Sequence, residues 1–587
     1  MPDSPESASF LGVDASLTGR RWVGPSAAVL RQAEAIQQAT DLPDVVSRVL
    51  ARCGVLPETA EAYLAPTLRD LLPDPSSLKD MDLASARILK AVDTKERIAI
   101  FADYDVDGGS SAALLIDWLR QMGIGSTLYV PDRIDEGYGP NAPAMSELAA
   151  EHDLIICVDC GTLSHDAVAA AKAADVIVLD HHLGGETLPD AMAIVNPNRQ
   201  DESGDLAHLC AAAVVFLVLV DLNRQLRAKG ASGPDLMSML DLVGLATIAD
   251  VAPLIGVNRA FVRQGLVVMG RRARPGLVAL SDVARLDTSP KAYHLGYVLG
   301  PRINAGGRVG KADMGARCLS ATTLDEAQSL AERLDGFNSE RREIETAVRD
   351  AALAQVEARG DVGALAWASG DGWHPGVVGI VAARLKEATD RPSVVIGVEG
   401  GIGKGSARSV PGVDLGHAIQ RLATEGLLEK GGGHKMAAGL TVIEDKIEAA
   451  MARLEELLEK AGAVRTGPRD LRVDAVLMPG AATVDLIEEL EGAGPYGQAA
   501  PPPRVALPDV RVLHAKVVGT GHLKLSLGDG LGARLDAIAF GVADTPMGQA
   551  LLSHGGQRFH VAGKLDINSF RGRVTAQLRL DDAAPAN

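Results

Sequence analysis

The segment VIVLDHHLGG, residues 176–185, places an acid and two histidines directly after four apolar residues. Its apolar half predicts a short buried strand, because branched side chains followed by a glycine-rich turn are typical of strands. Similar apolar runs lie upstream, with helix-like stretches between them: RIAIF (97–101), STLYV (126–130) and DLIICV (153–158). Alternating strands and helices predict an α/β domain with a parallel sheet.

Acidic side chains follow three of these strands, and one more acid lies in the apolar stretch LATIADVAPL. They are Asp103, Asp105 and Asp107, then Asp159, then Asp180 beside His181 and His182, and finally Asp250. Carboxyl ends of parallel strands share one edge of a sheet, so these groups should lie close together. Crowded carboxylates repel unless cations neutralise them, and oxygen ligands with an imidazole suit Mn²⁺ or Mg²⁺. We therefore predict two divalent cations, the arrangement common in phosphoester hydrolysis.

Blander interpretations exist for each motif taken alone. One Asp after a strand is commonly a turn former or a helix cap. The run of alternating acids from Asp103 is similar to a calcium loop, but its twelfth position is Leu114 rather than an acid. Cys157 and Cys160 have redox or zinc spacing, yet no second pair follows, so we favour a structural role.

Composition limits the class of protein. The chain has 587 residues, 47% of them hydrophobic, and a formal net charge of −18, which argues mildly against a protein that coats DNA. Five scattered cysteines indicate a reducing compartment. The N-terminus MPDSPESASF does not have the pattern of a signal peptide, and the twelve-residue apolar run 209–220 is shorter than the roughly 20 residues of a membrane span. We expect a soluble, cytoplasmic monomer.

Changes in composition and in hydrophobic pattern along the chain predict several domains. The expected divisions are a helical segment (1–90), the parallel-sheet domain (91–322), a connecting helix (323–360), a smaller α/β domain (361–465) and a C-terminal β-barrel (466–587). The connecting segment is charged and helical, with Gly336 as an interruption that leaves one helix or two. Short alternating runs separated by Pro and Gly favour the barrel.

Taken together, the motifs resemble a known family. Asp-His-His at 180–182, DYDVDG at 103–108, VDCG at 158–161 and TIADVAPL at 247–254 resemble the DHH phosphoesterase superfamily. Five later motifs resemble its RecJ branch, the single-stranded-DNA-specific 5′→3′ exonucleases: GPRINAGGRVG (300–310), GWHPGVVGIVAARL (372–385), GSARSVPGVDLGHAI (405–419), GGGHKMAAGL (431–440) and PYGQ (495–498). The match runs in order from about residue 50 to the end. The resemblance implies a DHH catalytic domain, a DHH-associated domain and an oligonucleotide-binding (OB) barrel.

The resemblance also implies roles for the acids and histidines. Metal ligands would be Asp105, Asp107, Asp159, His181 and Asp250, with Asp103 a ligand or a supporting acid. Asp159 would bridge the two ions, and His182 would face the scissile phosphate. Asp105, Asp159 and His182 would thus be the catalytic residues. Phe101 stands where some members of the superfamily carry a histidine.

Substrate contacts are implied in two further motifs. Ser406, Arg408, Gly432, Gly433 and His434 would form a pocket for the 5′ phosphate, since a guanidinium and exposed backbone N–H groups suit phosphate. Arg302, Asn304 and Arg308 would contact the strand near the cleft. Judged without the resemblance, the glycine run would be a flexible loop and Arg308 a solvated charge.

The implied function is metal-dependent 5′→3′ hydrolysis of single-stranded DNA to 5′-mononucleotides, in DNA repair and recombination. Implied partners are single-stranded DNA with a 5′ end, a helicase and a single-strand-binding protein, with no membrane. Two alternatives remain at this point. One is a phosphoesterase of short RNA, cyclic dinucleotides or pyrophosphate, and the other is a catalytically idle nucleic-acid-binding protein.

Overall fold

The structure is a computed structural model that describes residues 9–132, 136–137, 139–360, 363–463, 468–570 and 572–586. Its contacts divide the chain into two units. One unit comprises Met1–Leu72, Pro253–Ala260 and Gly467–Asn587, and the other comprises Pro73–Ala252 and Phe261–Thr466. No helix in the described ranges is long and apolar enough to cross a membrane.

The N-terminal segment is mostly helical. A short strand and five helices come first, and the last of these helices leads into the parallel sheet. Their bounds are β1 (Arg20–Val23), α1 (Ala27–Thr40), α2 (Asp44–Arg52), α3 (Ala60–Leu64), α4 (Leu68–Leu71) and α5 (Met81–Thr94).

The predicted parallel sheet follows, with its strands and helices in alternation. The elements are β2 (Ile98–Ala102), α6 (Val106–Gln121), β3 (Ser126–Tyr129), α7 (Ala142–Glu151), β4 (Leu154–Val158), α8 (His165–Ala170), β5 (Asp175–Leu179) and β6 (Ala193–Val195). All pairings are parallel in the order β3-β2-β4-β5-β6. Every residue of β2 and β4 is buried, as expected for a sheet covered by helices on both faces.

Helices complete this domain and lead to the next one. They are α9 (Ala211–Ala228), α10 (Leu240–Ala249), α11 (Val257–Gly270), α12 (Pro275–Val283), α13 (Ala292–His294), α14 (Gly300–Val309), α15 (Met314–Ser320) and α16 (Leu324–Arg359), and a π-helical turn, Leu295–Leu299, joins α13 to α14. Residues 211–220 of the apolar run form the first part of the largely buried helix α9, which begins at Ala211. The connecting helix α16 is a single helix of 36 residues that continues through Gly336.

The second α/β domain has a five-stranded sheet in the order β10-β11-β9-β8-β7. Its elements are β7 (Ala366–Asp371), α17 (Pro375–Thr389), β8 (Ser393–Glu399), β9 (Ile402–Arg408), α18 (Leu415–Thr424), β10 (Lys430–His434), β11 (Ala437–Ile443) and α19 (Ile447–Lys460). Strands β7 and β8 are parallel, and the other pairings are antiparallel.

The C-terminal strands form the predicted barrel, in the other unit. Strand β12 (Arg469–Arg472) precedes the barrel and pairs with β1 in a separate two-stranded sheet. The elements that follow are β13 (Ala475–Val476), α20 (Val484–Gly492), β14 (Val505–Val518), β15 (His522–Gly528), β16 (Arg534–Ala539), α21 (Pro546–Leu552), β17 (Arg558–Phe570) and β18 (Arg573–Pro585). Five strands pair in the order β14-β15-β16-β18-β17, and β17 closes the ring on β14. One pair, β16 with β18, is parallel. This partly parallel five-stranded closure is that of an OB fold.

Candidate metal and phosphate centre

The predicted acids converge at the carboxyl ends of neighbouring strands. Asp103 and Asp159 follow the adjacent strands β2 and β4, and Asp180 follows β5. Asp105 is the N-cap of α6, and its carboxylate accepts hydrogen bonds from the backbone N–H groups of Asp107 (2.8 Å) and Gly108 (3.1 Å). The strand order therefore places the motifs together as the sequence analysis predicts.

His181 lies among three of these acids. Its Nε2 atom is 3.3 Å from an Asp159 oxygen and 3.7 Å from an Asp107 oxygen. Its Nδ1 atom is 3.9 Å from an Asp250 oxygen. Asp250 itself ends α10, so a helix terminus supplies the acid that no strand of the sheet provides. Ligand atoms of Asp159, His181 and His182 lie within 4.8 Å of one another, so these three side chains form one candidate metal-binding group.

A second group of carboxylates shares Asp159 with the first. One oxygen atom from each of Asp103, Asp105 and Asp159 lies within 4.8 Å of the others. Asp107, His181 and Asp250 form a similar group within the same limit. Asp159 takes a left-handed backbone conformation, φ 60°, directly after β4. Strained conformations of this kind occur at functional sites, and this one places the Asp159 carboxylate between the two groups.

Backbone groups hold the acids of the first motif in place. Asp107 accepts hydrogen bonds from the backbone N–H groups of Ala211 (2.7 Å) and Ala212 (2.8 Å) at the start of α9. Gly108 allows the chain to turn tightly, because a β-carbon there would lie 2.4 Å from the carbonyl oxygen of Asp103. Phe101 is fully buried and stacks on Tyr129 with ring centroids 5.3 Å apart. Position 101 therefore supplies no imidazole to the group of Asp103, Asp105 and Asp159.

Asp180 has a different role from the other acids. One of its oxygens accepts from His182 Nδ1 (2.8 Å) and from the backbone N–H of His181 (2.7 Å). The other accepts from the Thr162 hydroxyl (2.6 Å). Both oxygens are thus occupied by protein donors, and Asp180 positions the adjacent histidines. The sequence analysis included Asp180 in its motif but gave it no such role.

Two asparagines also support the histidines. The side-chain amide of Asn196 donates to the His182 carbonyl (2.8 Å), and that of Asn198 donates to the His181 carbonyl (2.6 Å). Both residues follow the buried strand β6. Neither asparagine was predicted, although NPN (196–198) follows an apolar run in the same way as the acids follow theirs.

The electrostatics of the site favour cations. Burial, together with the charges of Asp107, Asp105 and Asp103, raises the pKa of Asp159 well above its ordinary value. Burial and the neighbouring acids Asp107 and Asp105 raise the pKa of Asp250 to about 8. Burial is also the main cause of the raised pKa of Asp107. Divalent cations would relieve this crowding, so the oxygen-rich donor set fits Mn²⁺ or Mg²⁺.

His182 and Asp180 form a charged pair beside this cluster. Burial alone would lower the pKa of His182, but the hydrogen bond to Asp180 and the charge of that carboxylate raise it to about 9. Although burial opposes ionisation of Asp180, its hydrogen bond with His182 and the charge of that imidazole hold the pKa of the carboxyl group well below its usual range. The side chain of His182 is 40% exposed, so this imidazolium is accessible to a substrate.

Four of the five predicted phosphate residues lie on one face of the second sheet, whereas Gly433 is aligned with Ala438 and Ala407 on the other face. Ser406 and Arg408 lie two residues apart on β9, and Arg408 donates to the Ser406 hydroxyl oxygen at 2.9 Å. Across the ladder, Arg408 is opposite Ala437, which is opposite His434. Ser406 is aligned in the same way with Gly439 and Gly432, and residues aligned across a ladder share a face.

Helix α17 packs closely beside this face. A β-carbon at Gly379 would lie 3.1 Å from both the Ser406 hydroxyl oxygen and an Arg408 guanidinium nitrogen. Gly433 has φ 151°, and a β-carbon there would lie 2.4 Å from the Ala437 carbonyl oxygen. The face therefore combines a guanidinium, a hydroxyl and an imidazole with a floor of small residues.

Helix α14 links the two groups of residues. The side chain of Asn304 accepts from the backbone N–H of Val106 (3.0 Å), between two of the motif acids. Arg308, at the end of the helix, donates to the carbonyl of Gly376 at the start of α17 (3.1 Å). Arg302 instead pairs with Asp335 on α16 (2.9 Å) and bonds the Val298 carbonyl (2.7 Å). Arg302 and Asn304 are thus engaged with the protein framework.

The comparisons with known proteins agree with this architecture. Residues 97–247 match the family model for the N-terminal domain of the DHH family, residues 361–460 that for the DHHA1 domain, and residues 473–582 that for the RecJ OB domain. A single-stranded-DNA-specific exonuclease RecJ from Salmonella typhimurium is 37% identical, over 95% of this chain and 99% of its own length. The chain belongs to the RecJ exonuclease family.

Solved RecJ structures extend the comparison to the fold. A Thermus thermophilus RecJ in complex with Mn²⁺ has a TM-score of 0.80 at 29% identity, over 96% of this chain and 79% of that one. Its complex with Mg²⁺ has a TM-score of 0.73. The Escherichia coli RecJ is 36% identical over 93% of this chain and 96% of its own length. The expected fold class is confirmed. The Thermus thermophilus RecJ binds Mn²⁺ in one structure and Mg²⁺ in the other, and these are the two kinds of metal that the sequence predicts.

Proposed function

We propose that this RecJ-family chain hydrolyses single-stranded DNA from its 5′ end, with two divalent cations, and releases 5′-mononucleotides. The observation that carries the proposal is the pair of ligand groups that share Asp159, in a chain similar to RecJ over nearly its whole length. Asp107, Asp159, His181 and Asp250 would hold one ion, and Asp103, Asp105 and Asp159 the other. When bound, such ions supply an activated water and stabilise charge on phosphate oxygens.

Asp180 and His182 would position and protonate the substrate beside the metal ions. Asp180 holds Nδ1 of His182, which leaves Nε2 to meet the scissile phosphate. The hydrogen bond and the charge of Asp180 raise the pKa of His182 and so favour its protonated form, which can stabilise the phosphate and protonate the leaving oxygen. Asn196 and Thr162 fix this arrangement through the His182 carbonyl and the Asp180 carboxylate.

The proposed direction of hydrolysis depends on the phosphate face of the second sheet. A terminal 5′ phosphate suits the guanidinium of Arg408, the Ser406 hydroxyl and the backbone beside Gly432, Gly433 and His434. Arg308 and Asn304 lie on the helix that connects this face to the metal ligands. A strand anchored by its 5′ phosphate would therefore present its next phosphate for cleavage.

The OB barrel supports a polymeric substrate, since such barrels bind single strands through backbone charge and stacking. We propose that a helicase and a single-strand-binding protein supply this substrate in the cytoplasm, where the chain acts in repair and recombination as a monomer. The alternatives with small substrates lack a use for the barrel. An idle binding protein would have no use for so many mutually repelling acids.

The test uses end-labelled single strands, with and without a 5′ phosphate, in Mn²⁺ or in EDTA. We expect metal-dependent release of mononucleotides from the 5′ end of single strands and not from duplexes. Release from the 3′ end would contradict the polarity, and degradation in EDTA would contradict the role of the metals.

The Arg408→Ala variant tests the 5′-phosphate pocket. Loss of the guanidinium should reduce the preference for a phosphorylated 5′ end by roughly tenfold or more, since a hydrogen bond to a charged group contributes about 1.5–3 kcal/mol. The measurement is the ratio of kcat/KM for phosphorylated and hydroxyl-ended strands. Lys386→Ala, at the far end of α17, is the matched control, and an unchanged ratio for Arg408→Ala would contradict the assignment.

A further inference from the structure

Two exposed tyrosines lie just before the helix that connects the metal ligands to the phosphate face. Tyr293 is 53% exposed and Tyr297 is 74% exposed. Their rings stack with centroids 5.1 Å apart and an angle of 23° between the planes, and the ring of His294 meets Tyr293 edge-on at 5.9 Å. Two adjacent, stacked and exposed aromatic rings form an apolar surface that a flat ligand can extend.

The segment that carries these rings packs directly against the metal-ligand motifs. A β-carbon at Gly296 would lie 3.2 Å from the side chain of Ile248, two residues before Asp250. A β-carbon at Gly300 would lie 3.8 Å from the side chain of Val106, between Asp105 and Asp107. Tyr297 follows Gly296, in a π-helical turn that runs into α14 without a break. Such turns are rare and are frequently found at functional sites.

The order of contacts along this helical segment gives the rings a position relative to the substrate. Arg308, at its end, reaches the start of α17 beside the phosphate face. Asn304, one turn earlier, bonds the backbone of the first acid motif. Tyr297 lies seven residues before Asn304, whereas Arg308 lies after it. At the rise of a helix, Tyr297 and Asn304 are about 10 Å apart along the axis. A strand with its 5′ end near Arg308 and its scissile phosphate at the metals would continue toward Tyr297.

We propose that Tyr297, backed by Tyr293, is a stacking platform for a nucleobase on the 3′ side of the scissile phosphate. A flat base extends the existing two-ring stack, and stacking accepts every base, as a nuclease without sequence preference needs. The platform rests on the proposed function, since it locates the strand that the metals would cleave. Tyr297 is thus a positioning residue whose contact is to a base rather than to the phosphate.

The test compares Tyr297→Ala, Tyr297→Phe and Tyr293→Ala on 5′-phosphorylated single strands that carry one abasic site at successive positions. Affinity is measured by fluorescence anisotropy in EDTA, and the first cleavage is measured in Mn²⁺. Base–aromatic stacking contributes about 1–3 kcal/mol per base, so Tyr297→Ala should weaken binding by roughly 5- to 100-fold. Tyr297→Phe should bind nearly as the unchanged chain does, and Tyr293→Ala should have a smaller effect than Tyr297→Ala.

The abasic series provides the decisive comparison. The unchanged chain should lose affinity when the abasic site occupies one or two adjacent positions on the 3′ side of the cut, and Tyr297→Ala should show no such position. An unchanged abasic pattern in Tyr297→Ala, or wild-type affinity in that variant, would overturn the platform. Leu83→Ala, also exposed and on α5, is the control for loss of surface apolar area. Failure of cleavage in Mn²⁺ by the unchanged chain would instead overturn the proposed function, while the binding series still tests the platform.

Discussion

Asp159 is the residue on which the two ligand groups depend. Its position after a buried strand could be read from the sequence, because VDCG follows a continuous apolar run. Its left-handed backbone conformation could not, since non-glycine residues rarely adopt positive φ. That conformation explains how one carboxylate reaches both Asp103 with Asp105 and His181 with Asp107.

Asp159→Asn should abolish most turnover while the chain still folds. Asn keeps the size of the side chain and tolerates a positive φ, but it removes the charge that the two proposed ions would share. Initial rates of mononucleotide release should fall at least a thousandfold. Because ligands that bind only the folded state stabilise it, the rise in melting temperature caused by Mn²⁺ should also shrink.

Asp166→Asn, on an exposed turn of α8, provides the control for this variant. Its rate and its melting temperature in Mn²⁺ should equal those of the unchanged chain. Near-normal release by Asp159→Asn would remove that residue from the metal centre.

Asp180 and His182 should act as one unit. Asp180→Asn keeps the shape of the side chain but loses the charge that supports the imidazolium, and His182→Asn removes the imidazole. Each variant should lower kcat by roughly 10²–10⁴, the usual contribution of a positioned acid or base, with little change in KM. The double variant should be no slower than His182→Asn, because groups that act together give non-additive losses.

Multiplicative losses in the double variant would show that the two residues act independently. Circular dichroism spectra of the three variants, compared with that of the unchanged chain, are the control for misfolding. The sequence places the three residues side by side, but only the fold shows that Asp180 accepts protein hydrogen bonds on both oxygens while His181 faces the other acids. Adjacent residues therefore differ in role because the chain turns between them.

The observed strands agree with those predicted from the sequence where the apolar run is continuous. The predicted strands β2, β4 and β5 are confirmed, because a parallel sheet buries its strands on both faces and so gives continuous apolar runs. Gly336 left open whether the segment 323–360 forms one helix or two, since a glycine lowers helix propensity without necessarily ending a helix. The structure shows α16 continuous through this position, and packing along the helix outweighs the local preference.

Gly336→Ala should therefore stabilise the unit that contains α16. A β-carbon at Gly336 has no neighbouring atom within 4 Å, and alanine is favoured over glycine in an exposed helix by about 0.5–1 kcal/mol. The denaturation midpoint in urea should rise accordingly. Gly276→Ala is the opposite case, because its β-carbon would lie 1.9 Å from the Cys318 carbonyl oxygen, and its midpoint should fall. A lower midpoint for Gly336→Ala would indicate that the helix needs flexibility there.

At the scale of the whole chain, the sequence does not show which distant segments pack together. Residues of the first 72 share a unit with the C-terminal barrel. Ile36 and Leu50 lie in one hydrophobic cluster with the barrel residues Leu507 and Leu525. Hydrophobic periodicity reports that a face is buried without reporting its partner, so this long-range pairing could not be read from the pattern.

Trp22 tests that pairing. It is fully buried, packs in a cluster with Ala506 and Ala584, and donates from its indole nitrogen to Asp582 (2.9 Å). Trp22→Ala should destabilise the unit by about 3–5 kcal/mol, because it leaves a large cavity and removes a hydrogen bond from a buried acid. Trp22→Phe, which keeps most of the apolar volume, should give an intermediate loss.

Scanning calorimetry can assign the affected unit, because Mn²⁺ should raise only the transition of the unit that holds the ligand acids. Trp22→Ala should lower the other transition and leave the Mn²⁺-sensitive one in place. Leu531→Ala, 87% exposed in the same unit, should change neither. If Trp22→Ala instead left both transitions unchanged, the N-terminal segment would contribute little to the barrel. A parallel fall in both would mean that the two units unfold as one, and that the first strand stabilises the catalytic unit as well.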